Sequence, residues 1–431
     1  MLSRIFTILL ILLVASCKNV NNEVPQSDEF RINTAHLDAL YEEIILSDDT
    51  VGIIHIYSEY PDYEWVGDDD EGIACVDDVA RAAIFYLKHY KSNDNTESLR
   101  KAKNLIEFLL YMQSENGFFY NFIFEDYSIN KTHKNSINES NWWSWRALWA
   151  LTESMQYFED FDTNFESKIL NSITATINAY KNQRSFSNTF TTIDGIKLPN
   201  WLPQGYASDR AALIILGLTN YHNHTSDSTV IPYLNKLCDG ILMMQKGDSL
   251  QSPFYAFLSW QNIWHAYGNS QSYALLKTSS VLKRNDIKQA ALNEINYFYD
   301  YLIKESYLNN FKLTKENNSY TYLTKQKLPQ IAYDIRPMVF ACLEAFNLTK
   351  DTLHAVKASE LAGWFIGSNI AKKQMYNPSN GITFDGIISE DEVNLNSGAE
   401  STIEALLSLL AIEQNTISKN SLTKYFVQNS N

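Results

Sequence analysis

The sequence predicts an all-α fold, an (α/α)6 toroid of six helical hairpins around a central funnel. Three observations predict it: a repeat, the number of its copies, and the contrast between two interleaved sets of apolar segments. An Arg-Ala pair opening an apolar run occurs at Arg81-Ala82, Arg146-Ala147 and Arg210-Ala211. Weaker copies follow at Tyr273-Ala274, at Arg336-Pro337 and in the run from Glu400 to Leu410. The steps are 146 − 81 = 65, 210 − 146 = 64, and then about 63, 63 and 64 residues. A fixed period marks units that cannot bury their own apolar faces and therefore stack on their neighbours. Open α-solenoids use shorter repeats, of roughly 34 to 47 residues, and six hairpins is a number that closes into a ring.

The two sets of segments differ as a double ring requires. The first is apolar over much of its circumference, as in Ala82-Ala83-Ile84-Phe85-Tyr86-Leu87 and Ala211-Ala212-Leu213-Ile214-Ile215-Leu216, the character of buried inner helices. The second set, at 35–46, 98–113, 165–180, 230–245, 286–304 and 352–370, has one polar side. Lys101, Lys103, Asn104 and Glu107 are interleaved there with Leu105, Ile106, Leu109 and Leu110, a one-faced outer helix.

The chain has 431 residues, but the repeat runs through it without a linker-like break and so outranks the several domains that length alone would suggest. The expected division is a signal peptide at 1–17, a tether at 18–32, the toroid at 33–415 and a C-terminal tail at 416–431. A net charge of −15 without a Lys/Arg cluster would repel a phosphate backbone, which argues against a nucleic-acid partner. Arg4 precedes an apolar stretch, 5–15, that is too short to span a bilayer and has the layout of a secretory signal. Its end, Leu13-Val14-Ala15-Ser16-Cys17, resembles a bacterial lipobox. That resemblance implies lipidation of Cys17 and a lipid-anchored envelope protein, on the periplasmic or surface face. Cys75, Cys238 and Cys342 lack the paired short spacing of a zinc site and are expected as buried free thiols.

Parallel inner helices open all their N-termini on one face, so the residues at each first turn converge on one cavity. Those residues are Cys75-Val76-Asp77-Asp78 before Arg81, Asn141 to Trp145 before Arg146, Ser208-Asp209 before Arg210, Trp260 to Asn269, Tyr333 to Arg336, and Asn396 to Glu400. Carboxylates, Trp, Tyr, His and Asn gathered in a cleft suit a sugar chain, whose rings have apolar faces and hydroxyl rims. The expected substrate-binding residues are Arg81, Trp142, Trp143, Trp145, Asp209, Trp264, His265, Tyr267, Asp334 and Arg336.

The segments Glu71 to Ala82, Trp142 to Trp149, Ala207 to Ala212 and Asn396 to Leu407 resemble the six-hairpin glycosidase superfamily of (α/α)6 carbohydrate-active enzymes. The resemblance covers nearly the whole mature chain. It implies glycoside hydrolysis most often, and polysaccharide lysis or sugar epimerisation less often, without assigning residue roles.

Hydrolysis usually needs two carboxyl groups, one protonated to assist the leaving group and one ionised. The carboxylates available are Asp77, Asp78, Asp209, Asp334, Asp385, Glu400 and Glu404. Asp77 and Asp78 are the preferred acids, facing Glu400 across the funnel. One of the pair would stay ionised beside Arg81 while its neighbour, in that field, is raised toward a general acid. Both also fit a structural role, pairing with Arg81 and the helix dipole, and Ser397 with Glu400 fits a capping box. The alternative reading is a lyase or epimerase using His265 and Tyr267 as base and acid, with Asn262, Asn269 and Arg336 nearby. A non-catalytic glycan-binding lipoprotein is the third. No cofactor or metal is expected; the acidic run Asp68-Asp69-Asp70-Glu71 lacks the alternating spacing of a calcium loop and reads as a solvated loop at the funnel mouth.

Overall fold

The structure is a computed structural model and describes residues 31–46, 49–159, 163–183 and 187–429. Cys17, its signal and the tether up to residue 30 lie outside these. A short helix, α1 (Ala35–Leu40), precedes the first hairpin. The inner helices are α2 (Val76–Asn93), α4 (Trp142–Phe158), α6 (Ser208–Thr225), α8 (Gln271–Leu282), α11 (Arg336–Thr349) and α13 (Ala399–Glu413). The outer ring consists of α3 (Thr96–Tyr111), α5 (Thr163–Asn182), α7 (Ile231–Met244), α9 (Asn285–Asn293) continued as α10 (Tyr299–Lys304), α12 (Thr352–Ala362) and α14 (Thr416–Asn429). Each inner helix packs on the next, α2 on α4, α4 on α6, α6 on α8, α8 on α11 and α11 on α13, and α13 packs back on α2. That last contact closes the ring and excludes the open solenoid.

Two expectations about the ends are corrected. Residues 35–46 are not an outer helix: α1 stops at Leu40, and Tyr41–Leu46 forms a strand paired antiparallel with Asp49–Ile54. Burial of Ile44 and Leu46 with exposure of Ile45 is a period of two, and the partner strand is mostly β-branched, with Thr50, Val51, Ile53 and Ile54. The sixth outer helix is instead α14, in the segment expected to be a tail. It approaches α12 through serines rather than through an apolar stripe: Ser418 Oγ donates to the Ala355 carbonyl and Ser359 Oγ to the Ser418 carbonyl, each at 2.8 Å. A helix docked by small polar groups leaves little amphipathic signal.

Inner-to-outer connections are short turns, as from Asn93 to Thr96 and from Thr349 to Thr352. Outer-to-inner connections are long, as from Tyr111 to Trp142 and from Ala362 to Ala399. The long loops therefore lie over the N-terminal ends of the inner helices, where binding residues are typically carried. They bear small antiparallel sheets, among them the hairpin Tyr57–Glu59/Glu64–Val66 and the three strands Ile263–His265, Asn310–Glu316 and Ser319–Gln326. The fourth outer helix is interrupted by a π-helical turn, Glu294–Phe298. There the buried Glu294 carboxylate accepts from the Phe257 N–H (2.8 Å) and Ser272 Oγ (2.6 Å), tying this helix to the start of α8.

Candidate active site at the funnel mouth

Three of the four arginines that mark the repeat meet at the toroid axis, while Arg210 lies over Trp142. Repeat positions on α2, α4 and α11 point inward, so Arg81, Arg146 and Arg336 surround the ring of Tyr333, with guanidinium carbons 5.3, 4.9 and 5.3 Å from its centroid. All three are buried and need carboxylates beside them. Arg81 binds Asp78 (2.5 Å), Glu400 (2.9 Å) and Glu404 (3.1 Å). Arg336 Nε binds the other oxygen of Glu404 at 2.6 Å, and Arg146 binds Asp77 at 2.8 Å.

This network separates the adjacent acids. Asp78 spends one oxygen on Arg81 and the other accepts the Cys75 S–H at 3.2 Å. Burial raises its pKa despite Arg81, but it lies under the helix end with both oxygens engaged. Asp77 pairs with Arg146 of the next copy rather than with Arg81. The Cys75 sulfur caps α2 by accepting the Asp78 N–H, and Cys75, Cys238 and Cys342 are all buried free thiols.

Glu400 is the carboxylate of this network that opens to the funnel, with its side chain 42% exposed. Its protein surroundings disfavour charge, but Arg81, Arg146 and Arg336 outweigh that and hold its pKa below the usual value. It does not close a capping box with Ser397: the Ser397 hydroxyl is hydrogen-bonded to the Thr383 N–H, and Gly398 is the N-cap. The α13 terminus is capped from outside by Asp385, whose Oδ1 accepts from the Gly398 N–H (2.8 Å) and Ser401 Oγ (2.7 Å). Asp385 is half-buried; burial raises its pKa, the two hydrogen bonds oppose this, and the charge of Glu400 adds to it. Asp334 is pushed up further by burial and by Glu400, but its Oδ2 holds the Ile331 N–H and its Oδ1 is sealed from solvent.

On the wall formed by α6 and α8, His265 Nε2 meets Asp209 Oδ2 at 3.1 Å. Tyr267 stacks on the imidazole at a centroid distance of 3.9 Å. A Cβ at Gly268 would lie 2.2 Å from His265 Cε1, so the glycine makes room for the ring. With one nitrogen on Asp209, the other buried and a face covered by Tyr267, His265 positions Tyr267 and has no free nitrogen for a substrate. Tyr267 itself is 43% exposed.

The structure does not bring every expected sugar contact to the cavity. Trp143, Trp145 and Trp264 are core residues: Trp143 Nε1 donates to the Phe119 carbonyl (2.7 Å), Trp145 packs edge-on against Phe118 and Tyr180, and Trp264 stacks on Phe311. A helix start places one side chain in four toward the axis, and Trp142 is the one placed there, half-buried between Arg146 and Arg210. Arg81 and Arg336 are likewise too buried to touch a sugar and act on the carboxylates instead. Asn262 is buried, its amide donating to Asp194 and the Leu313 carbonyl. Asn269 is also buried. Asp68, Asp69 and Asp70 are exposed, with Asp68 Oδ1 accepting the N–H groups of Asp70 and Glu71 in a tight turn. Sequence reasoning did not single out Tyr333 as the hub, nor Trp65 and Trp260 as exposed rings. A flat side chain in a long loop gives no periodic signal.

The chain matches no protein-family model and no curated protein. Solved structures do resemble it. A family 76 glycoside hydrolase from a bovine Bacteroides thetaiotaomicron strain is 10% identical, with 90% of this chain and 79% of that one covered, at a TM-score of 0.60. Cellobiose 2-epimerase from Bacillus thermoamylovorans is 13% identical (88% and 95% covered, TM-score 0.58), and a D-mannose isomerase 11% identical (89% and 95%, TM-score 0.58). At such identities the likeness is one of fold, and the chain has the six-hairpin (α/α)6 toroid that these enzymes share.

Proposed function

We propose that this protein is a carbohydrate-active enzyme, a glycoside hydrolase that binds a poly- or oligosaccharide in the funnel and cleaves it with two carboxyl groups. The observation that carries the reading is a pair of unlike carboxyls on one helix terminus. Glu400 is open and held ionised by the arginine hub, while Asp385, bound to the same turn, is pushed toward its protonated form. Environments that drive two carboxyls apart in pKa assign an acid and a base. Asp385 is the proton donor to the leaving oxygen and Glu400 the base or nucleophile. Asp77 and Asp78, engaged by Arg146 and Arg81, are positioning residues. The named activities of the fold neighbours, a glycoside hydrolase among them, support the substrate class.

Glu400→Gln and Asp385→Asn each keep size and hydrogen-bonding capacity, so each is expected to lower kcat by about 10²-fold or more with KM and melting temperature little changed. Wild-type turnover rises with pH as Glu400 ionises and falls as Asp385 loses its proton; Asp385→Asn removes the falling limb. Turnover near wild type in both variants excludes the pair.

The second reading is a sugar epimerase, supported by the epimerase and isomerase among the fold neighbours and by Tyr267, an exposed phenol beside Asp209 and Arg210. Its product keeps the chain length of its substrate, which distinguishes it from hydrolysis. We propose also that the mature protein is lipid-anchored through Cys17. What supports the anchor is the lipobox-like run Leu13-Val14-Ala15-Ser16-Cys17; among the described residues no helix is long and apolar enough to cross a membrane.

A further inference from the structure

Two aromatic rings at the mouth are mounted in the same way. Tyr267 lies on His265, whose Nε2 is held by Asp209. Trp65 lies on His55 at a centroid distance of 3.9 Å and an interplanar angle of 6°, and His55 Nε2 is held by Glu42 at 2.8 Å. In each stack a carboxylate orients a buried imidazole, the imidazole supports one face of the ring, and the rings are 43% and 40% exposed. Three residues are thus committed to keeping an apolar face flat and open to water. Burial of the same rings would recover more hydrophobic free energy.

The stacks flank the carboxyl pair. Tyr267 is in the turn Ala266–Gly268, which packs on Ala332–Asp334 at the head of α11. Trp65 is in the hairpin Tyr57–Glu59/Glu64–Val66, which rests on the first turn of α13. There the Ile56 and Ser58 carbonyls accept the N–H groups of Ala399 (2.9 Å) and Ser397 (3.1 Å), and Asn396 Oδ1 accepts the Tyr60 N–H. By element the order is Tyr267 just before α8, Asp334 at the head of α11, Asp385 and Glu400 at the start of α13, and the hairpin that carries Trp65 on that same α13 turn.

We propose that Trp65 is a second sugar platform, and that with Tyr267 it selects a chain of several sugar units lying across the mouth, one unit on each ring and the scissile bond over Glu400. This rests on the carbohydrate reading above and adds to it the preference for a chain over a mono- or disaccharide. A flat ring of fixed tilt accepts the apolar face of a pyranose, and its rigidity reduces the ordering cost of binding. His55 and Glu42 are positioning residues that act through Trp65.

The test is affinity electrophoresis of the full chain in gels containing α-mannan, carboxymethylcellulose or polygalacturonate. Wild type is expected to be retarded in at least one. In that gel Trp65→Leu and Tyr267→Leu should each weaken apparent affinity by about tenfold, roughly 1.4 kcal/mol, while Trp65→Phe, which keeps a flat face on His55, stays within about threefold of wild type. Melting temperatures measured alongside show whether Trp65→Leu is folded, and Trp65→Phe serves as the rescue. Glu400→Gln should be retarded as wild type is. The platform proposal is overturned if wild type is retarded in none of the three gels, or if Trp65→Leu is retarded as strongly as wild type. The hydrolase reading fails separately, if wild type releases no new reducing ends from any of the three polysaccharides, and the role of Glu400 fails if Glu400→Gln retains wild-type turnover, whatever the gels show.

Discussion

Arg81→Met tests the arginine hub most severely. The substitution keeps an unbranched stem in a site where the side chain is 3% exposed, and it removes the cation shared by Asp78, Glu400 and Glu404. Glu404 retains Arg336 at 2.6 Å, and Glu400 has water, so the group stranded is Asp78, 4% exposed. Removing one partner of a buried ion pair costs about 3–5 kcal/mol. With an unfolding entropy of roughly 2.1 cal/mol/K per residue over about 400 residues, that is a fall in melting temperature of about 4–6 °C. The deficit has a pH signature. In the variant the folded-state pKa of Asp78 lies further above its unfolded value, so the stability linked to its protonation is present at low pH and is lost as pH rises. The deficit should be largest near pH 7.5 and shrink toward pH 5. Urea unfolding at both values measures it, and Arg81→Met with Asp78→Asn should recover at least half. An unchanged midpoint, or a deficit equal at the two pH values, would refute the assignment of Asp78 to Arg81.

Glu294, with a pKa raised by burial to about 7, should make the protein lose stability between about pH 4.5 and pH 7. Glu294→Gln should flatten that slope by about 3 kcal/mol across the interval, read from urea midpoints. Gly268→Ala places a Cβ 2.2 Å from His265 Cε1 and 3.0 Å from Asp209 Cβ; it should cost about 1–3 kcal/mol, read from urea midpoints, and wild-type stability in that variant would show that the His265–Tyr267 stack is loosely packed. Cys17→Ser should move the protein from the membrane to the soluble fraction, and unchanged membrane partition would remove the basis of the anchor.

The ring was legible because its signal is a period. The Arg-Ala copies mark inner helices that start at 76, 142, 208, 271, 336 and 399, and such a period carries the architecture even where one segment, 35–46, is misassigned. The misplaced hairpin end has a physical reason: 35–46 carries apolar residues in a pattern compatible with both periods, and α14 hides its buried face behind Ser418 and Leu422. At the site, residue types and the mouth were legible, and pairings were not. Asp77 and Asp78 are each in reach of a repeat arginine, and only the ring geometry sends Asp77 to Arg146 and Asp78 to Arg81. Likewise, Asp385 precedes Glu400 by fifteen residues in a loop of no regular pattern, and its seat on the α13 terminus follows from tertiary contacts alone.

The central claim is tested most directly by the products formed from polysaccharide. Wild type incubated with α-mannan, carboxymethylcellulose and polygalacturonate should release new reducing ends from at least one, as shorter chains without ultraviolet absorption, and Glu400→Gln should release them about 10²-fold more slowly. An absorbing unsaturated product, chains of unchanged length with an inverted or isomerised end unit, or equal release by Glu400→Gln would each contradict hydrolysis through the Asp385–Glu400 pair.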